Sequence, residues 1–130
     1  MTAELSSLVI ITTFTALLWA PYVTDRMLVA GIDATVGYPA EPASLSRWAT
    51  RLRAAHSNAV ENLVVFAALI LAAQALGVHT PLTVLAATLF LWSRIAHAVL
   101  YTLGIKWLRT LAFVGGFAAQ MMLAYQLLAG

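Results

Sequence analysis

Charged side chains are spaced so widely along this chain that the gaps between them read as helices crossing a bilayer. Residues 5–24 carry no charge, and a hydrocarbon core of about 30 Å needs roughly 20 helical residues. Residues 62–93 are again free of Asp, Glu, Lys and Arg. That run is too long for one crossing and is interrupted by Gly77-Val78-His79-Thr80-Pro81. Glycine just past one helix and proline opening the next is the expected punctuation. A last uncharged run covers 110–130. The pattern predicts four membrane helices, over about 5–25, 45–76, 81–103 and 108–128, in a single domain spanning 1–130. Pro21, near the end of the first, is a place for a kink. The one long connection, about 25–44, is marked by Gly31, Gly37, Pro39 and Pro42. The expected fold class is an all-α integral membrane protein, a four-transmembrane-helix bundle of antiparallel, up-down topology.

Composition narrows the class further. Hydrophobic residues make up 62% of the chain and charged residues 9%, against about 45–50% and about 25% in soluble domains. Disorder is excluded on the same grounds, since it requires low hydrophobicity and high charge. Without cysteine there is no disulfide, thiolate metal site or cysteine nucleophile. The net charge of +2 provides no basic stripe for a nucleic-acid partner. The position of the basic residues is more telling than their number. Arg26, Arg47, Arg51 and Arg53 surround the first loop and Lys106 and Arg109 the third, whereas the second loop and both ends have none. The positive-inside rule places loops one and three in the cytoplasm and both termini on the other side. Trp48 and Trp107 then fall at the cytoplasmic interface. The start, Met1-Thr2-Ala3-Glu4, lacks the basic residue of a secretory signal.

Polar residues inside the spans carry the chemistry. A charge at the centre of a membrane helix costs roughly 2.5–3.5 kcal/mol on insertion scales, so it marks a site or a pair. In the second span Arg51, Asn58 and Glu61 share a helix face, while Arg53 and His56 share another. In the third, Arg94, His97 and Tyr101 follow at i, i+3 and i+7, again one face. Arg109-Thr110 opens the fourth span, and Arg26 closes the first. All are expected at the cytoplasmic end, with Glu61 and Arg94 as an ion pair. Each has a plainer reading. The peripheral arginines and Lys106 could snorkel to headgroups, His97 and Tyr101 could be packing residues, and His79 a surface loop residue. His56, Glu61 and His97 form no recognisable metal-ligand motif. Gly115 with Ala119, and Ala112 with Gly116, are small-xxx-small pairs that permit close helix packing.

Taken together, Arg51, then Asn58-Ala59-Val60-Glu61-Asn62, Arg94-Ile95-Ala96-His97 with Tyr101, and Arg109-Thr110 resemble the MAPEG superfamily, and its bacterial branch in particular. The name denotes membrane-associated proteins in eicosanoid and glutathione metabolism. The resemblance covers nearly the whole chain. It implies a homotrimer in the bacterial inner membrane, with sites between subunits that take glutathione as co-substrate and a lipophilic small molecule from the lipid. By position, Asn58, Glu61, His97, Tyr101 and Arg109 match residues lining the glutathione pocket, with Arg109 the thiol-activating arginine. Arg94 matches the partner of the second-span glutamate, and Arg26 the first-span arginine lent by a neighbouring subunit. Arg51 and Thr110 join the expected set, as a holder of the peptide's polar ends and a further hydrogen-bond donor.

Three departures stand out. Ala54 occupies a position where the family commonly has arginine, Ser57 one where eicosanoid-type members can carry another, and Phe113 one where a tyrosine would help hold the thiol. Two functions follow. The first is a membrane-embedded glutathione-dependent transferase or peroxidase acting on lipophilic electrophiles. The second is a non-catalytic MAPEG-like module binding lipid or an amphipathic anion. A small exporter is disfavoured because Glu61 lies beside a cationic neighbour rather than alone and deep in a span.

Overall fold

The computed structural model describes residues 1–39 and 45–130, and Pro42 lies outside them. All regular structure among the described residues is helical: α1 (Ala3–Leu17), α2 (Trp19–Ala30), α3 (Ile32–Val36), α4 (Arg47–Ala75), α5 (Pro81–Leu103) and α6 (Lys106–Ala129). Four stretches are long and apolar enough to cross a membrane: Ala3–Ala30, Arg47–Ala75, Pro81–Leu103 and Lys106–Ala129.

The first stretch is two helices placed end to end. Pro21 has no N–H for the Leu17 carbonyl and its ring crowds that carbonyl, so the regular ladder breaks at Leu18. The Leu18 N–H turns instead to the Thr15 carbonyl at 3.3 Å. The helix then continues past the expected end at 25, because Met27-Leu28-Val29-Ala30 is apolar and carries no breaker. It stops at Gly31, whose φ of +89° favours glycine. The long connection therefore starts later than its polar residues suggest, and it contains the short α3. Asp25, buried in α2, accepts hydrogen bonds from the Ser46 N–H at 2.8 Å and the Ser46 hydroxyl at 2.6 Å. Those two bonds tie the end of the first span to the start of the second.

Both short turns follow one pattern. After α4, Gly77 adopts φ +67° and the Val78 N–H reaches back to the Ala73 carbonyl at 2.9 Å. After α5, Gly104 adopts φ +78° and the Ile105 N–H reaches the Leu100 carbonyl at 3.0 Å. In each, a left-handed glycine lets the chain satisfy the last carbonyls and reverse. Pro81 opens α5 inside a capping box formed by Thr80 and Thr83.

Packing follows membrane logic, in which lipid tails are as apolar as leucine and close approach replaces the hydrophobic effect. The buried positions are therefore largely small: Ala49, Ala55, Ala59, Ala86, Ala87 and Ala98 among them. One large pair fills the centre, with the rings of Phe66 and Phe90 stacked at 3.8 Å. Gly115 and Gly116 serve contact within the chain. A Cβ at Gly115 would stand 2.7 Å from the Ser93 hydroxyl, and one at Gly116 3.1 Å from the Arg94 side chain. Val9, Ile10, Leu71, Leu85 and Trp92 are exposed, giving the molecule an apolar outer surface.

Candidate functional site

The last turns of α5 and the first of α6, joined by Gly104-Ile105, build a polar wall. Arg94, His97 and Tyr101 project from α5 on the shared face that their spacing requires. Arg94 and His97 are buried, at 2% and 4% exposure, and Tyr101 is half-buried. Arg109 comes from the first turns of α6, and its guanidinium carbon lies 4.3 Å from the centre of the Tyr101 ring. That distance is a cation–π contact. The rings of His97 and Tyr101 are 5.6 Å apart. With Thr110 and Phe113 these residues line an open cleft of about 300 Å³. A second hollow of about 250 Å³ adjoins it, lined by Arg51, Tyr101, Gly104, Lys106 and Arg109.

Arg51 is brought there by a bond across helices, its Nε donating to the Thr102 carbonyl at 2.8 Å. Gly104 leaves room for it, since a Cβ at that position would lie 3.4 Å from the guanidinium. Three cations thus face one hollow. The start of α6 adds to the positive field, because its N-cap is Ile105, which supplies no side-chain acceptor. The first N–H groups of this helix are left to water or to an anion.

Behind the cleft sits a polar string. Arg94 donates through Nη2 to Asn58 Oδ1 at 2.5 Å. Asn62 donates to the Asn58 carbonyl at 2.9 Å, and Gln120 of α6 donates to the Asn62 carbonyl at 3.1 Å. Arg94 Nε, Arg94 Nη1 and His97 Nδ1 are buried without a partner. Buried polar atoms are normally paired, so such orphans need a reason.

The expected ion pair between Glu61 and Arg94 is not formed. Among the described residues the one ion pair is Glu4 with His79, and Glu61 is exposed. Helical geometry explains the difference. The buried side of α4 centres on Ala55, Ala59, Phe66 and Ala73, and Glu61 lies about 120° around the helix from Ala55, whereas Asn62 lies only about 20° away. The guanidinium therefore meets Asn58, with Asn62 behind it. Arg26 does not join the cleft of its own chain. It stays on α2 with its Nε buried and unpartnered. His56, which shares a helix face with Arg53, hydrogen-bonds within the chain, its Nδ1 lying 2.8 Å from the Tyr22 hydroxyl. Thr110 reaches the cleft, but its hydroxyl proton goes to the Lys106 carbonyl at 2.9 Å. Of the two hydroxyls on the wall, that of Tyr101 is the one left to donate. Phe113 stands on the wall too, 6.1 Å from the His97 ring and 5.9 Å from the Arg94 guanidinium.

Asn62 and Gln120 were not among the residues singled out from sequence. The i, i+4 spacing of Asn58 and Asn62 was the available signal. Glu4 was missed as well. It is buried, its carboxylate accepts from the Thr83 hydroxyl at 2.5 Å, and His79 Nδ1 lies 2.8 Å away. A sequence model of the MAPEG family matches residues 9–129 of the chain. No curated protein and no solved structure matches it.

Proposed function

The chain belongs to the MAPEG family, membrane-associated proteins of eicosanoid and glutathione metabolism, and from that premise we propose a membrane-embedded glutathione-dependent transferase or peroxidase acting on lipophilic electrophiles. One observation carries the reading: Arg109 stands over Tyr101 between two adjoining hollows, beside an uncapped helix start and three orphaned buried nitrogens. That donor set suits a small peptide with two carboxylates and a thiol. Glutathione supplies the nucleophilic sulfur when bound.

The residues divide the work by position. Arg51 and Lys106 favour carboxylates, Arg51 through a planar fork that can bind bidentately. Asn58, Arg94 and His97 supply buried polarity at the inner end, and Glu61 a carboxylate for an amine. Arg109 favours a thiolate in the cleft. A thiol with a pKa near 8.5 is mostly protonated at pH 7, and a neighbouring cation favours its charged form. The dipole at the start of α6 acts in the same sense, and the Tyr101 hydroxyl is placed to donate. We further propose a homotrimer in a bacterial inner membrane, with both termini outside the cytoplasm, the basic loops inside, and Arg26 lent to a neighbouring subunit's cleft.

Phe113 on the wall favours a second reading, a non-catalytic module that binds lipid or an amphipathic anion. One experiment separates the two. Glutathione mixed with purified protein in detergent is expected to show the ultraviolet thiolate band near neutral pH. Arg109→Leu is expected to abolish the band and to slow conjugation of an electrophile by about 10²–10³-fold, the usual effect of deleting one charge-stabilising donor, while native mass spectrometry still finds trimers. Glutathione bound without a thiolate band would support the second reading.

A further inference from the structure

The hollow that adjoins the cleft lies between three helices and is lined by charge of one sign. Arg51 of α4, Tyr101 and Gly104 at the end of α5, and Lys106 and Arg109 of α6 surround a volume of about 250 Å³. Among the described residues no acidic side chain lines it, and none of the three cations is in an ion pair. Cations gathered without a counter-charge repel one another, and an anion placed between them relieves that repulsion.

Two of the three are held in place. The Nε of Arg51 donates to the Thr102 carbonyl at 2.8 Å, which fixes the guanidinium and leaves its two Nη groups over. Gly104 keeps the approach open, because a Cβ there would stand 3.4 Å from that guanidinium. Arg109 is half-buried, its guanidinium carbon 4.3 Å from the centre of the Tyr101 ring. Lys106 is exposed, a point charge on a flexible stem that adapts to what the two guanidiniums fix.

Three cations exceed what one carboxylate needs. A carboxylate brings one charge and two oxygens, and the amino-acid end of glutathione adds an ammonium, for which this hollow has no acid. A phosphate monoester brings about 1.5–2 negative charges at pH 7 and three strong acceptor oxygens, and its geometry matches the planar fork of arginine. We propose that the hollow binds a phosphate monoester through Arg51, Lys106 and Arg109, and that its occupancy excludes a glutathione carboxylate from Arg51 and Lys106. The exclusion rests on the glutathione reading of the cleft; the phosphate site does not. The monoester is either a lipid headgroup or a soluble ester. Trp107, next to Lys106, is 74% exposed, and Ile105 and Leu108 are exposed as well, which suits the start of α6 to the level of the headgroups.

Calorimetry on the full chain in neutral detergent, delipidated and free of glutathione, tests the site with glycerol 3-phosphate and with acetate at constant ionic strength. Glycerol 3-phosphate is expected to bind saturably and about tenfold more tightly than acetate, the effect of one further charge-assisted bond. Arg51→Gln is expected to weaken it about tenfold, and Lys106→Gln, at an exposed position that the fold does not depend on, about threefold. Native mass spectrometry with phosphatidic acid and phosphatidylglycerol of identical acyl chains separates the sources. Phosphatidic acid retained in preference, and displaced by glycerol 3-phosphate, makes the ligand a lipid; binding of glycerol 3-phosphate without that retention makes it a soluble ester. No saturable binding, equal affinity for acetate, or affinity unmoved by Lys106→Gln would overturn the site. Glutathione that gives its thiolate band in a protein unable to bind glycerol 3-phosphate would overturn this proposal and leave the glutathione reading standing. Glycerol 3-phosphate bound by a protein that ignores glutathione would do the reverse. Where both bind, the apparent affinity for glutathione is expected to fall as glycerol 3-phosphate saturates, and an unchanged affinity would overturn the exclusion.

Discussion

The two ends of α5 each bury a polar cluster, and the clusters are built by opposite rules. At the Pro81 end, the Glu4 carboxylate receives the Thr83 hydroxyl, stands 2.8 Å from His79 Nδ1, and abuts a capping box that closes on itself. At the Leu103 end, Arg94 spends one of its nitrogens on Asn58, and Nε, Nη1 and His97 Nδ1 are left over. Among the described residues, none of the buried unpartnered atoms belongs to the Glu4 cluster. An unsatisfied buried group costs about 1–3 kcal/mol. A chain able to satisfy one cluster fully and not the other has a fastening at the first end. At the second it holds polarity in reserve for something that this chain alone does not supply.

The fastening is where the comparison is easiest to break. Glu4→Leu removes a charge-assisted bond between the first span and α5 and leaves His79 without its partner. It is expected to cost about 2 kcal/mol of stability, read as lowered thermal unfolding of the detergent-solubilised protein by tryptophan fluorescence. Glutathione binding is expected to stay within twofold. A binding loss as large as the stability loss would mean that the two ends are coupled.

The reserve sharpens it from the other side. Arg94→Met keeps an unbranched apolar stem and removes the two orphaned guanidinium nitrogens, while Asn58 Oδ1 still has Asn62 Nδ2 at 3.3 Å. Stability without glutathione is expected to be unchanged or higher by about 1 kcal/mol, the lower end of the cost of an unsatisfied donor. Affinity for glutathione, measured by calorimetry, is expected to fall at least tenfold. Destabilisation on the scale of Glu4→Leu would make Arg94 a strut, and both ends fastenings.

How far the residues themselves announce this arrangement differs between fold and site. The four long helices are legible because uncharged runs of bilayer length leave little choice, and Gly77, Pro81 and Gly104 punctuate them by rules that depend only on neighbouring residues. The first span escapes in one respect. Its polar pair Asp25-Arg26 resembles an end, but Asp25 is buried by Ser46, a contact between distant positions that no local pattern records. The same limit governs the site. Arg94, His97 and Tyr101 come to one wall because they lie on one helix and share a register, which spacing alone specifies. Which residue of α4 meets Arg94 depends instead on how two helices rotate against each other. Glu61 and Asn62 lie about 100° apart around the helix, so a stripe drawn through Asn58 and Glu61 is centred about 50° away from the stripe through Asn58 and Asn62. The Glu4 cluster was invisible for a related reason: Glu4 is 75 residues or more from its partners His79 and Thr83.

The smallest expected effect tests that rotation directly. In this structure Glu61 is exposed and Arg94 is buried against Asn58, so the two charges have no means of coupling within a chain. Glu61→Gln is expected to change stability by less than about 0.5 kcal/mol, as for an ordinary surface position. In a cycle with Arg94→Gln the two changes are expected to add to within about 0.5 kcal/mol. Glutathione affinity can still fall in Glu61→Gln, because a carboxylate that contributes nothing to the fold is free to receive an amine. A coupling of about 1–3 kcal/mol would carry the opposite meaning. It would require Glu61 to reach a guanidinium in the assembled protein, which a neighbouring subunit rotating or shielding α4 could bring about. The polar reserve at the Leu103 end would then be taken up, in part, by assembly rather than by ligand.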